Sequence, residues 1–225
     1  MTVPYRFKAD PDEVLTSLKD NLNDRKEWDE LTEWGVIYAD ADDHVRTSPL
    51  PVPPHMWFEV GDPRLLLRLF HHLLTEPPTP QAAAQGEALR RMLPKDFAGL
   101  YLRVEGWGPP PAQALEIHQR LQAGGTVPKF ATMKDRQEFR LSTAVDTNGT
   151  IYLAQQARTT MTLEGSYSRG VSDDSGMDGK VGGELPALLT EVLQALLTLA
   201  LSMRTDSRCS QLREASERTE ESNAA

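Results

Sequence analysis

The chain has 225 residues, 25% of them charged and 39% hydrophobic, with a formal net charge of −9 and a pI of about 5.1. That length supports one sizeable core, and the acidic balance argues against general binding to nucleic acid or to an anionic membrane, which want a basic surface. The one cysteine, Cys209, excludes an internal disulfide and suits a reducing cytoplasm.

The first residues, MTVPYRFKADPDE, lack the charged-then-apolar pattern of a signal peptide. Asp10-Pro11 starts a helix with Val14, Leu15, Leu18 and Leu22 at helical spacing. A second helical piece is expected from Arg25 to Trp34, stopped by Gly35. A short strand, Val36 to Ala39, follows, then a solvated acidic turn holding Asp40, Asp42 and Asp43 without a calcium-loop pattern. The proline-rich run 48–54 reads as an extended connector. Residues 55–60 read as a strand or the entry to one. Asp62-Pro63 caps an amphipathic helix to about residue 75, and His71 and His72 in it face different ways. Another helix covers 80–93.

Residues 97–107 read as a strand with Arg103, Glu105 and Trp107 on one face and Leu102 and Val104 on the other. A helix over 112–122 follows. Arg136 to Arg158 is the clearest signal in the chain, two strand-type runs around Asp146-Thr147-Asn148-Gly149. A three-residue loop with Gly149 in the left-handed position pairs Val145 with Ile151, Thr143 with Leu153 and Phe139 with Ala157. It also pairs Arg140 with Gln156 and Glu138 with Arg158. This register separates an apolar face from a polar one, whereas a two-residue loop mixes them.

The second strand is expected to run on to Leu163. Residues 164–183, rich in Gly, Ser and Asp, read as a loop or lid. Leu185 to Met203 is the most hydrophobic segment. Its polar stripe of Glu191, Gln194, Thr198 and Ser202 argues against a membrane span and for a helix buried on most of its circumference, against the sheet or in a homodimer interface. Residues 204–225 read as a polar, disordered tail.

These elements predict an α+β fold for residues 1–203. A small, mostly antiparallel sheet around the hairpin 136–163 is covered on one face by helices, with 1–47 as an N-terminal helical part. The polar face of the hairpin is the candidate site. Read as a solvated face, it is laced with ion pairs. Read as a ligand site, Glu105 and Glu138 supply acid and base, while Arg136, Arg140 and Arg158, with Gln156 and Trp107, hold an anion. No phosphate loop, dinucleotide fingerprint, cysteine pair or zinc signature is present, so no cofactor and no metal is expected. The sequence therefore leans away from an enzyme. It favours a cytoplasmic binding or regulatory protein acting through protein contacts, either with a protein partner or as a homodimer through Leu185–Met203. A small-molecule or anion binder, or a hydrolase-type enzyme using the Arg/Glu face, is the alternative.

Glu105-x-Trp107, Asp135-Arg136-x-Glu138-x-Arg140, Ala144-Val145-Asp146-x-x-Gly149-x-x-Tyr152, Arg158 and the Leu185-Pro186-Ala187-Leu188 helix occur in that order. Over residues 97–200 this pattern resembles a group of uncharacterised actinobacterial and actinophage proteins. The resemblance implies a shared architecture and an association with phage or mobile elements, and it carries no activity. Where that group would place a further Arg, this chain has Gln156.

Overall fold

The computed structural model describes residues 9–51, 61–169 and 184–199, apart from 78, 95, 111–112, 114–115, 118, 121–122 and 127–128. Six strands are present: β1 (Glu33–Ala39), β2 (Val45–Pro49), β3 (Phe97–Gly108), β4 (Gln137–Asp146), β5 (Thr150–Ala157) and β6 (Leu163–Arg169). They form one antiparallel sheet in the order β2-β1-β3-β4-β5-β6. The described helices are α1 (Pro11–Asn23), α2 (Pro63–Thr75), α3 (Pro80–Arg91) and α4, residues 184–199. The fold is α+β, and no described helix is long and apolar enough to cross a membrane.

Local chemistry explains most boundaries. Asp10 caps α1 by accepting from the Asp12 N–H at 3.0 Å, with Pro11 in the first turn. Asp62 does the same for α2 through the Arg64 N–H at 2.9 Å. Between β4 and β5, Gly149 sits at φ 81°, and the ladder pairs Val145 with Ile151, Thr143 with Leu153 and Phe139 with Ala157. The three-residue loop is thus the one adopted. Asp146 fixes it. One carboxylate oxygen accepts from the Asn148 and Thr150 N–H groups at 2.8 and 2.9 Å, the other from the Tyr152 hydroxyl at 2.8 Å. Burial, and then the charge of Asp146, holds the Tyr152 pKa above its usual range.

Both faces of the sheet are covered, not one as expected. The apolar face carries Trp34, Leu100, Leu102 and Val145 and meets Leu67 and Leu74 of α2 and Leu189, Val192 and Leu196 of α4. Trp34 stacks on Phe70 of α2 with centroids 4.4 Å apart. Arg64 and Arg68 of α2 reach Glu184 of α4 at 3.2 and 2.6 Å. The apolar stripe of α4 is therefore used in the chain's own core. The opposite face carries Ile37, Tyr101, Ala144 and Tyr152 and receives Val14, Leu18 and Leu22 of α1.

Other expectations need correction. Residues 1–47 are not a helical part, since they contribute two strands. Arg25 to Trp34 form no helix. Asp29 takes φ 65° and β1 begins at Glu33, for a reason that lies in the site below. The run 48–54 is not wholly connector, because β2 extends through Ser48 to Pro49. The chain does not continue as one strand to Leu163. β5 ends at Ala157, the chain turns with Met161 at φ 54°, and β6 returns beside β5. That strand occupies the start of the presumed 164–183 loop, while 170–183 lie outside the described residues. So do 55–60, His118, most of the 112–122 helix, and 200–225 with Cys209.

Candidate functional site

The polar face of the hairpin is buried at its centre and solvated only at its rim, where Arg136 and Arg158 are exposed. Arg140, in the middle of β4, is fully buried. Its Nε donates to Glu105 Oε1 at 3.0 Å, and Nη2 lies 2.9 Å from the same oxygen. Nη1 donates to the carbonyls of Leu22 and Arg25 at 3.4 and 3.2 Å, and Nη2 to that of Glu27. Four hydrogen bonds and an ion-pair contact thereby occupy the guanidinium group. Two consequences follow for the chain after α1. The helix has no basic residue in its last turn, and Arg140 supplies a cation there from the sheet. Carbonyls 25 and 27, drawn to Arg140, explain why this segment departs from the helix its composition suggested.

The network extends outward. Glu105 Oε2 accepts from the Asp29 N–H at 2.6 Å. Arg158 meets Glu138 at 2.6 Å and Asp29 at 3.7 Å, and the Glu138 contact raises its pKa. The Trp28 ring takes Arg140 at 4.6 Å and Arg158 at 5.4 Å from its centroid. On the inner side, Arg103 is 3% exposed, with Nη2 2.9 Å from Glu30 and 3.4 Å from Glu33. Burial lowers its pKa against the opposing pull of Glu33. Glu33 also pairs with Arg25 and accepts from the Tyr101 hydroxyl at 2.8 Å. Burial, with the Glu33 charge second, pushes the Tyr101 pKa up.

The sequence-derived candidates are thus gathered, for a different purpose. Glu105, Glu138, Arg140 and Arg158 pair with one another or with main chain. Gln156 lies beside Arg140 in the ladder, 1% exposed. Arg136 stands apart, stacked 4.1 Å over the exposed ring of Trp107. Carboxylate oxygens of Asp29, Glu105 and Glu138 come within 4.8 Å of one another. They are spanned by two guanidinium groups, as an ion-pair network requires. Asp40, Asp42 and His44 also cluster. There Asp40 accepts from the Asp42 and His44 N–H groups and from Arg46 Nε at 2.9 Å, and Arg46 holds its pKa below the usual carboxylate range. The acidic turn is the corner of the β1–β2 hairpin. Trp28, Asp29 and Glu30 escaped sequence reading because nothing periodic marks them. The one available signal was Arg103, a cation inside an otherwise apolar strand that must have acids facing it.

A second charged region is built differently. Between α1 and β2 runs a groove of about 660 Å³, lined by Asp12, Glu13, Asp20 and Asp24 on the helix and by residues 44–47 on the strand. A smaller hollow of about 360 Å³ lies beside Pro49 to Pro51 and shares Arg25 with it. β2 is an edge strand. The Leu50 N–H reaches the Trp34 carbonyl and the Asp40 N–H the His44 carbonyl. Counting by twos between these bonds, Ser48 and Arg46 face β1, while Val45 and Thr47 turn their N–H and C=O groups away from the sheet. Among the described residues nothing pairs with them. Pro49 ends this edge without an N–H.

Compared with known proteins, the chain matches no family model, no curated protein and no solved structure.

Proposed function

We propose that this chain is a non-catalytic binding protein that acts through contact with another protein, and that the contact runs along the open edge of β2. The observation that carries this reading is the pair of outward-turned residues, Val45 and Thr47, beside a groove of about 660 Å³. Two residues offer four backbone hydrogen bonds in one line, the arrangement that lets an extended segment add to a sheet. The hairpin face supports the alternative less well, because Arg140 is fully buried and its guanidinium group already serves Glu105 and three main-chain carbonyls.

The test is amide exchange on the full chain bound to peptides selected from a random displayed library. Slowed exchange at Val45 and Thr47 is expected. Protection confined to the 136–158 face would move the function to the arginine cluster.

A further inference from the structure

The helical wall of the groove is acidic, whereas the strand wall carries His44 and Arg46. Asp12, Glu13, Asp20 and Asp24 stand on its helical side, and none forms an ion pair among the described residues. The basic groups that line it are already engaged. Arg25 pairs with Glu33 and Glu30, and Arg46 with Asp40. Four carboxylates therefore face the space beside β2 without an ion pair, although the charge of Asp20 is felt by Arg46.

The geometry of an added strand fits this. Val45 packs into the core beneath α1, so alternate residues of a neighbouring strand also point to the α1 side. They recur about every 6.6 Å. Asp20 and Asp24, one helical turn apart, are separated by about 6 Å along α1. Glycines or apolar residues at those positions would leave the carboxylates unanswered. Acidic ones would be repelled.

Resting on the proposed role of the β2 edge, we infer that its occupant is an extended basic segment of a partner protein, with Lys or Arg at alternate positions facing α1. Main-chain bonds to Val45 and Thr47 hold it, and the α1 carboxylates select its charge. Binding is weakened by salt, because the pairs are near the surface.

The experiment uses the full chain and three blocked heptapeptides: Thr-Lys-Val-Lys-Val-Lys-Thr, the same peptide with Glu for Lys, and a rearrangement with the three lysines contiguous. Binding is followed by fluorescence anisotropy and amide exchange. The alternating lysine peptide is expected to slow exchange at Val45 and Thr47. With Asp20→Asn and Asp24→Asn together its Kd rises about fivefold, the sum of two exposed ion pairs. Both substitutions are isosteric on an exposed helix face, so the fold is kept. If the glutamate peptide, or the contiguous lysine one, protects those amides equally well, the edge reading stands and the inference about charge and spacing is overturned. If no peptide protects them, or if they are already protected in the chain alone, the edge reading itself falls and takes this inference with it.

Discussion

The sheet side and the outer side of α1 meet charge in opposite ways. At its C-terminal end, guanidinium and carboxylate groups of β3, β4 and the following segment close on one another around Arg140. Along its outer side, four carboxylates face a groove whose basic groups, Arg25 and Arg46, pair with other acids. The first arrangement is costly to disturb and useless for recognition, because removing one member strands the others in a poor solvent. The second adds little to the fold beyond the helix-dipole effect of Asp12 and Glu13, and leaves its field available. Charge density alone does not separate the two. The number of partners each group already has does.

The contrast is broken most directly by Arg140→Ala. It leaves Glu105 without its buried counter-charge and frees three carbonyls, so urea unfolding should show a loss of about 3–5 kcal/mol. A loss below about 1 kcal/mol would mean the cluster does not hold α1 to the sheet. Tyr152→Phe removes one donor from the buried Asp146 carboxylate and should lose about 1.5–3 kcal/mol in the same assay, the range for a hydrogen bond to a charged group.

Alkaline pH tests the same buried oxygens without mutation. Folding raises the pKa of Tyr101 and of Tyr152, whereas the unfolded chain ionises at about 10. Above that pH the unfolded state gives up protons that the folded state keeps. The stabilisation is therefore complete below about pH 10 and declines as pH climbs further. Melting temperatures measured from pH 8 to 11.5 should be level and then drop; a level profile throughout would show that the hydroxyls are not held as described. The smallest effect belongs to the groove. Asp20→Asn with Asp24→Asn should leave stability within about 0.5 kcal/mol of the parent, and a larger loss would show these carboxylates to be structural after all.

The hairpin was legible because two independent constraints agree on it. Gly149 permits the turn, and the alternation of Val145, Thr143 and Phe139 against Ala144, Arg140 and Glu138 tolerates only one register. β6 was not legible. Its sequence, LEGSYSR, has the composition of a loop, and it is a strand because β5 offers a full partner edge. Gly165 marks a close approach there. A Cβ would come 2.7 Å from the Leu15 side chain and 2.9 Å from that of Lys19, so α1 lies against the strand at that point. The stretch after α1 failed for the converse reason: its residues suit a helix, and a side chain more than a hundred positions away claims its carbonyls. The candidate residues were correctly gathered on one face. What their periodicity cannot reveal is that a helix lies over that face and turns an array of charges into an internal clamp.

That clamp sets the order in which the molecule is made. The bond from Arg140 to the Leu22 carbonyl spans 118 residues. On a ribosome working at about 5–20 residues per second, α1 emerges roughly 6 to 24 s before the side chain that closes its last turn. Through that interval the surfaces awaiting Val14, Leu18 and Leu22 are mostly still unsynthesised, since β3 to β6 all come later. Among the described elements α1 is thus translated before the others and is among the last secured. Of the described elements, it is the one whose apolar face waits longest for its partners in the nascent chain.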